Sequence, residues 1–183
     1  MLSAIAQGRA PGIVVDRVRQ PLQFGPLLNQ GCYMINSDGS RRVENGMAAC
    51  GGMIWGPTGE WFISFTKAIG VCAVVDAELW GIYIGLVCAW DLHVTGVVVE
   101  TDCLGALNFI RLGRNGKGSH GLVLHILELC HRFRTVSFQH VKRNSNRVAD
   151  QMAKLAIFDG LEVCIFHVPP VEVGHILQTD VGD

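Results

Sequence analysis

Hydrophobic residues in this chain follow two rhythms, a two-residue alternation and a three-to-four-residue recurrence, and the rhythms change over in a definite order. Gly96-Val97-Val98-Val99-Glu100-Thr101 sets three β-branched residues behind a glycine and predicts a short buried strand. Earlier, Cys32-Tyr33-Met34-Ile35-Asn36-Ser37 predicts a strand, and Asp38-Gly39-Ser40 reads as the turn that ends it. Residues 47–55 predict a second strand, in which Gly51-Gly52 marks a bulge or a close backbone approach. Gly56-Pro57-Thr58-Gly59 is a turn, and residues 60–66, alternating and rich in aromatics, are the return strand of a hairpin.

Helical periodicity takes over at 76–91, where Leu79, Ile82, Tyr83, Leu86, Val87 and Trp90 form a core-facing stripe. Asp76 suits the amino-terminal end of that helix. After the valine strand come helical stretches at 104–112 and 122–132, a strand at 134–141, and a helix at 146–157 for which Ser145 is the expected cap. Three strands, a helix, a strand, two helices, a strand and a helix predict an α/β fold. Its five-stranded mixed sheet would join an antiparallel three-strand meander to two parallel strands, with helices on both faces. Reactive groups are expected at the carboxyl ends of the parallel strands.

The flanks read differently. Residues 1–30 carry Pro11-Gly12, Pro21 and Gly25-Pro26 and are expected to be a linker or a remnant of a longer parent. The domain is expected to occupy 31–157. Residues 158–183 form a tail with a short apolar run at 161–166, Pro169-Pro170 and a weak Ile176-Leu177.

Composition narrows the class. Of 183 residues, 49% are hydrophobic and 17% charged, which is a globular rather than a disordered balance. No apolar run approaches the roughly 20 residues of a membrane span, and Ile13-Val14-Val15 is too short for a signal-peptide core. The seven cysteines are scattered, odd in number and without a Cys-x-x-Cys pair. Free thiols in a reducing compartment are therefore expected, hence an intracellular protein, with the nucleus as a candidate compartment. A monomer is expected.

Net charge of −1 conceals an asymmetry. Residues 111–154 hold nine basic residues against Glu128 and Asp150, a formal +7, while the remainder has six basic and fourteen acidic residues, a formal −8. A segregated basic half is either a solvated face or a phosphate-binding one. Two apparent motifs carry no chemistry. Gly116-Lys117-Gly118-Ser119-His120-Gly121 has dinucleotide-fingerprint spacing but follows a helix instead of a strand, so it reads as a loop. Cys130-His131 lacks the partner spacing of a zinc site.

Asp102, at the end of the valine strand, is the residue that asks for a function. A carboxylate there is costly unless something offsets its charge, and such residues commonly bind metal or react. Asp38 ends the first predicted strand, Glu78 opens the first helix, and Asp150 lies beside the stripe of the last. Singly, these are a turn aspartate, a helix-dipole acid and a solvated helix acid.

Together, in this element order, they resemble the type 1 ribonuclease H family. Asn36-Ser37-Asp38-Gly39-Ser40 is similar to the first-strand motif, Asp76-Ala77-Glu78-Leu79-Trp80-Gly81 to the helix motif, and Val99-Glu100-Thr101-Asp102 to the fourth-strand motif. His140-Val141-Lys142-Arg143-Asn144-Ser145-Asn146-Arg147-Val148-Ala149-Asp150-Gln151-Met152-Ala153 resembles the last block. The likeness covers about residues 31–157 and is strongest to ribonuclease H-like domains of plant genomes derived from non-LTR retrotransposons.

The resemblance implies a metal-dependent endoribonuclease that cleaves the RNA strand of RNA–DNA hybrids. Asp38, Glu78, Asp102 and Asp150 would hold two Mg2+ ions, with Mn2+ as a substitute, and His140 would assist proton transfer and product release. Magnesium takes oxygen ligands and keeps waters, which leaves room for a substrate phosphate, and two such ions suit an in-line displacement. Lys142, Arg143 and Arg147 are expected on phosphates, and Asn36 and Asn45, which flank the first motif, on the nucleic acid near the cut. Arg41-Arg42-Val43-Glu44-Asn45 replaces the glycine-rich stretch of bacterial members, and the segment at 111–121 is too short for their basic protrusion. The alternative is a domesticated module that binds nucleic acid or protein without cutting.

Overall fold

A computed structural model describes residues 23–24, 31–118 and 120–180 of the 183-residue chain. Most of the expected linker at 1–30, and Ser119 of the glycine-rich loop, lie outside the described residues. Among the described residues, seven strands form one sheet: β1 (Gln23–Phe24), β2 (Tyr33–Arg41), β3 (Met47–Trp55), β4 (Trp61–Val71), β5 (Gly96–Thr101), β6 (Thr135–His140) and β7 (Val163–Phe166). Their spatial order is β1-β6-β5-β2-β3-β4-β7. The contacts β2–β5, β5–β6 and β1–β6 are parallel, and β2–β3, β3–β4 and β4–β7 are antiparallel. The five expected strands are present as a meander plus two parallel strands. The sheet is nevertheless larger than five, because β7 adds to the outer edge of β4 and the two-residue β1 to that of β6. A four-residue apolar stretch such as Val163–Phe166 has no periodicity of its own to announce a strand.

Helix α1 (Val74–Asp91) crosses one face with α2 (Leu104–Arg114) and α3 (Gly121–Cys130), and α4 (Arg147–Lys154) with α5 (Val171–Asp180) covers the other. None of these helices is long and apolar enough to cross a membrane. The larger core joins Ile35, Ile54, Phe65, Val97, Val99 and Phe138 of the sheet to Leu79, Ile82, Leu86, Leu107, Ile110 and Ile126 of the helices. Trp90 departs from the expected stripe. It stands at the rim, partly exposed, edge-on to Phe133 with ring centroids 5.9 Å apart. A smaller core on the opposite face packs Met53, Val148 and Met152 under Val173 and Ile176 of α5. Part of the expected tail is thus a strand and a helix that close this second face. All seven cysteines are free thiols.

Local turn chemistry yields to pairing at one place that matters. Asp38-Gly39-Ser40 does not turn, since Asp38 pairs with Gly51, Gly39 with Cys50 and Ser40 with Ala49. The chain reverses later, where Arg42 N donates to Met47 O (2.8 Å), Gly46 N donates to Arg42 O (2.9 Å) and Gly46 takes φ +72°. Strand geometry then sends Asp38 and Gly39 to opposite faces. The last helix also differs from expectation. It spans Arg147–Lys154, Ser145 lies in a 3-10 turn (Arg143–Ser145), and Asn146 occupies the cap position.

Gly51 is a close backbone approach rather than a bulge. A Cβ there would stand 2.2 Å from Ala153 N and 2.4 Å from Met152 C, so α4 lies directly on β3. The register shifts of β3 occur elsewhere, between Ala48 and Ala49 and between Ile54 and Trp55. Gly51→Ala must lift α4 off the sheet. Urea unfolding is expected to show a loss of at least about 1–3 kcal/mol, the usual cost of overpacking. Gly121→Ala, with open space at the start of α3, should be neutral or slightly stabilising. Equal stability of the two variants would contradict this packing.

Candidate active site

Gly39 does for α1 what Gly51 does for α4. A Cβ on Gly39 would stand 2.5 Å from Glu78 N and 2.6 Å from Ala77 C, so the first turn of α1 rests on the β2 backbone. That contact delivers Glu78 to Asp38. The parallel pairing of β2 with β5 brings in the third acid, because Asp102 follows immediately on the last residue of β5. Ligand oxygens of Asp38, Glu78 and Asp102 all lie within 4.8 Å of one another. Among the described residues this is the one group of three or more metal-ligating side chains with such spacing.

Asp38 and Glu78 are each only 6% exposed. Burial, then the charges of Asp102 and Asp150, push the Asp38 carboxyl up to about 7. Burial, then Asp38 and Asp102, push Glu78 up to about 9, against the opposing pull of the Gly39 N–H and the Arg143 guanidinium. Glu78 Oε2 is buried and has no hydrogen-bond partner among the described residues. A crowded set of hard oxygen donors with an orphaned acceptor fits a small divalent cation, and thiols and imidazoles take no part in it.

The other expected site residues fall around this trio at different ranges. Asp150 lies on α4, outside the tight group but near enough to raise Asp38, and Lys154 pairs with it at 2.5 Å. His140 ends β6 beside Thr101. Its exposed ring places Nε2 3.2 Å from the Asp102 carbonyl oxygen, on the rim of the acids. Arg143 reaches the site electrostatically, while Lys142 and Arg147 are exposed on either side of the 3-10 turn. Asn45 sits in the β2–β3 turn, where its Oδ1 accepts from Met47 N at 3.0 Å. Asp76, in the same motif as Glu78, is taken up by His120 at 2.9 Å.

Asn36 is placed otherwise than expected. It is 6% exposed, its Nδ2 donates to Glu100 Oε2 (2.8 Å) and its Oδ1 accepts from Trp55 Nε1 (3.0 Å). Its amide is committed inside the protein, two residues below Asp38. Glu100, Trp55 and Asn146 escaped the reading of the sequence as site residues. Asn146 is 2% exposed and donates from Nδ2 to Ser37 O at 2.9 Å. A glutamate two positions before Asp102 and an asparagine two before Asp38 were the available signal, legible only once the two strands are known to pair.

Comparison with known proteins agrees with this geometry. Residues 36–156 match the family described as reverse transcriptase-like. A provisionally named ribonuclease H protein of Arabidopsis thaliana is 35% identical over 154 residues, which is 82% of this chain and 24% of that protein. The chain thus spans about a quarter of that relative's length. The N-terminal RNase H domain of a Mycobacterium tuberculosis protein, solved as a fusion with maltose-binding protein, superposes with a TM-score of 0.60. It is 26% identical, over 68% of this chain and 91% of that one. RNase H1 of the halophilic archaeon Halobacterium salinarum shares the fold at a TM-score of 0.61 and 23% identity, over 71% and 100% of the two chains. LC11-RNase H1, solved in complex with an RNA/DNA hybrid, shares it at 0.57 and 21%, over 68% and 96%.

The carboxyl environment sets a pH dependence. Folded Asp38 and Glu78 keep their protons to about 7 and about 9, against ordinary values of 3.8 and 4.5. Between those limits the native state holds more protons than the unfolded chain, so stability is full below the ordinary values and falls as pH rises. In metal-free buffer, urea unfolding should show progressive loss between pH of about 5 and about 9. Glu78→Gln should remove the upper part of that slope. A flat or rising profile would contradict the buried-acid geometry.

Proposed function

Because the chain belongs to the reverse transcriptase-like family and has the ribonuclease H fold, we propose that it is a metal-dependent endoribonuclease acting on the RNA strand of RNA–DNA hybrids. The observation that carries this reading is the convergence of Asp38, Glu78 and Asp102, from three separate elements, within 4.8 Å. The name of the Arabidopsis relative supports the activity, and the hybrid bound by the LC11 enzyme supports the substrate class. The sequence motifs and the plant relative support descent from a retroelement.

Asp38, Glu78 and Asp102 would hold Mg2+, or Mn2+ in its place, with Asp150 completing the set for two ions. Bound there, such ions supply an activated water and stabilise the charge that develops on the leaving oxygen. The protein's own groups do the rest. Paired carboxylates fix the positions of the ligand oxygens. His140, exposed beside the Asp102 carbonyl, can carry a proton between the site and solvent. Lys142, Arg143 and Arg147 would lie along phosphates and set the strand's register without reading its sequence. Choice of the RNA strand must come from contacts to its 2′-hydroxyls, because carboxylate-held ions do not distinguish the sugars. The second reading, a binding module that does not cut, draws on the Lys154–Asp150 pair, which neutralises the fourth acid.

With Mg2+, the protein is expected to cleave the RNA strand of a labelled hybrid and to leave duplex DNA of the same sequence intact. Asp102→Asn should slow cleavage by about a hundredfold or more, since several kcal/mol of stabilisation is lost at about 1.36 kcal/mol per tenfold. The same variant should melt no lower than the parent in metal-free buffer, as carboxylate repulsion is relieved. Equal rates on hybrid and duplex DNA, or an unaffected variant, would overturn the reading. Hybrid binding without cleavage would favour the second.

The basic half makes a separate prediction, best measured in the Asp102→Asn background. Replacing Lys142 and Arg143 together should flatten the log–log salt dependence of hybrid binding by about one to two. An unchanged slope would make these residues a solvated face.

A further inference from the structure

Given the cation site proposed above, we infer that two buried asparagines, Asn36 and Asn146, act with Glu100 as positioning residues that set the spacing of the acids. Asn36 and Glu100 face each other in the parallel register of β2 and β5. Asn36 precedes Asp38 by two residues on β2, and Glu100 precedes Asp102 by two on β5. The strand period puts Asn36 on the same sheet face as Asp38.

The hydrogen bonds form a continuous rung across three strands. Trp55 Nε1 of β3 donates to Asn36 Oδ1 at 3.0 Å, and Asn36 Nδ2 donates to Glu100 Oε2 at 2.8 Å. The backbone ladder sets the register of β2 and β5, and the rung adds a directional side-chain tie between the two strands that further resists a slip. A slip there would carry Asp38 and Asp102 apart.

Asn146 extends the same function to the fourth acid. It stands at the cap position of α4, the helix that bears Asp150. Its side chain makes no bond to the helix it precedes and instead donates to Ser37 O, the carbonyl adjoining Asp38, at 2.9 Å. Asn36, Trp55 and Asn146 border one cavity of about 40 Å3, and Asn146 Oδ1 has no hydrogen-bond partner among the described residues. A capping side chain diverted from its helix, at the cost of one uncompensated acceptor, is explained by the link it makes to β2. The two strands and the helix that supply Asp38, Asp102 and Asp150 are thereby tied together directly beneath them, with β3 joined through Trp55. Glu78 is held by another device, the Gly39 contact.

The test reads cation affinity, so that it does not depend on hydrolysis. Mn2+ binding to the intact chain is measured by titration calorimetry at a temperature well below each variant's melting point. Asn36→Ala, Glu100→Ala and Asn146→Ala are each expected to weaken binding about tenfold, the lower end of what partners of a metal site contribute. Glu100→Gln keeps an acceptor for Asn36 and is expected to bind within about threefold of the parent, which separates positioning from ligation by the Glu100 charge. Loss of binding in Glu100→Gln equal to that in Glu100→Ala would overturn the positioning role. So would parental affinity in folded Asn36→Ala and Asn146→Ala, or loss of melting temperature alone. Trp55→Phe, which removes only the indole donor, tests the rung if an alanine variant fails to fold. It should weaken Mn2+ binding in the same direction, and unchanged affinity would count against the rung. Absence of Mn2+ binding by the parent chain would instead defeat the cation-site reading itself.

Discussion

Three carboxylates with oxygens within 4.8 Å of one another cannot all ionise in a buried cleft without an offsetting charge. That constraint shapes everything near it. Without a cation, protons must neutralise part of the charge, and Asp38 and Glu78 accordingly hold theirs to about 7 and about 9. Arg143 lowers the repulsion from one side, and the Gly39 N–H does so for Glu78 from within. None of these offsets is complete, since Glu78 Oε2 still lacks a hydrogen-bond partner among the described residues. The fold holds its acids in a state that a divalent cation would relieve.

Holding them there is a packing problem, and two glycines on neighbouring strands solve it. Gly39 admits the first turn of α1 on one face of the sheet, and Gly51, paired with Asp38 across β2–β3, admits α4 on the other. One helix brings Glu78 and the other Asp150, and the parallel β2–β5 pairing brings Asp102. Apolar contacts then fix the helices in place: Leu79, Ile82 and Leu86 for α1, Val148 and Met152 for α4. Helix α5 braces α4 from outside through Val173 and Ile176, so the last stretch of chain also contributes to where Asp150 stands.

Much of this was legible from residue patterns. The valine strand, the hairpin at Gly56–Gly59 and the periodicity of α1 are strong local signals, and Asp102 and Glu78 stand at element ends where a charge calls for a reason. What escaped depends on partners distant in sequence. Asp38-Gly39-Ser40 has the composition of a turn, and only its pairing with Gly51, Cys50 and Ala49 makes it strand. Ser145 is a fine cap by type, but the geometry gives that position to Asn146, whose side chain is drawn to Ser37 O. Asn36 lies beside the motif like a ligand-binding residue, yet its partners at 100 and 55 enclose it. The strand Val163–Phe166 exists because β4 offers an open edge, which no local pattern reveals.

Crystals soaked in Mn2+ and recorded at a wavelength where manganese scatters anomalously test the central claim most directly. The account predicts an anomalous peak bounded by the carboxylates of Asp38, Glu78 and Asp102, lost in Asp102→Asn. Well-ordered carboxylates at high Mn2+ concentration and pH above about 7 with no peak between them would contradict it.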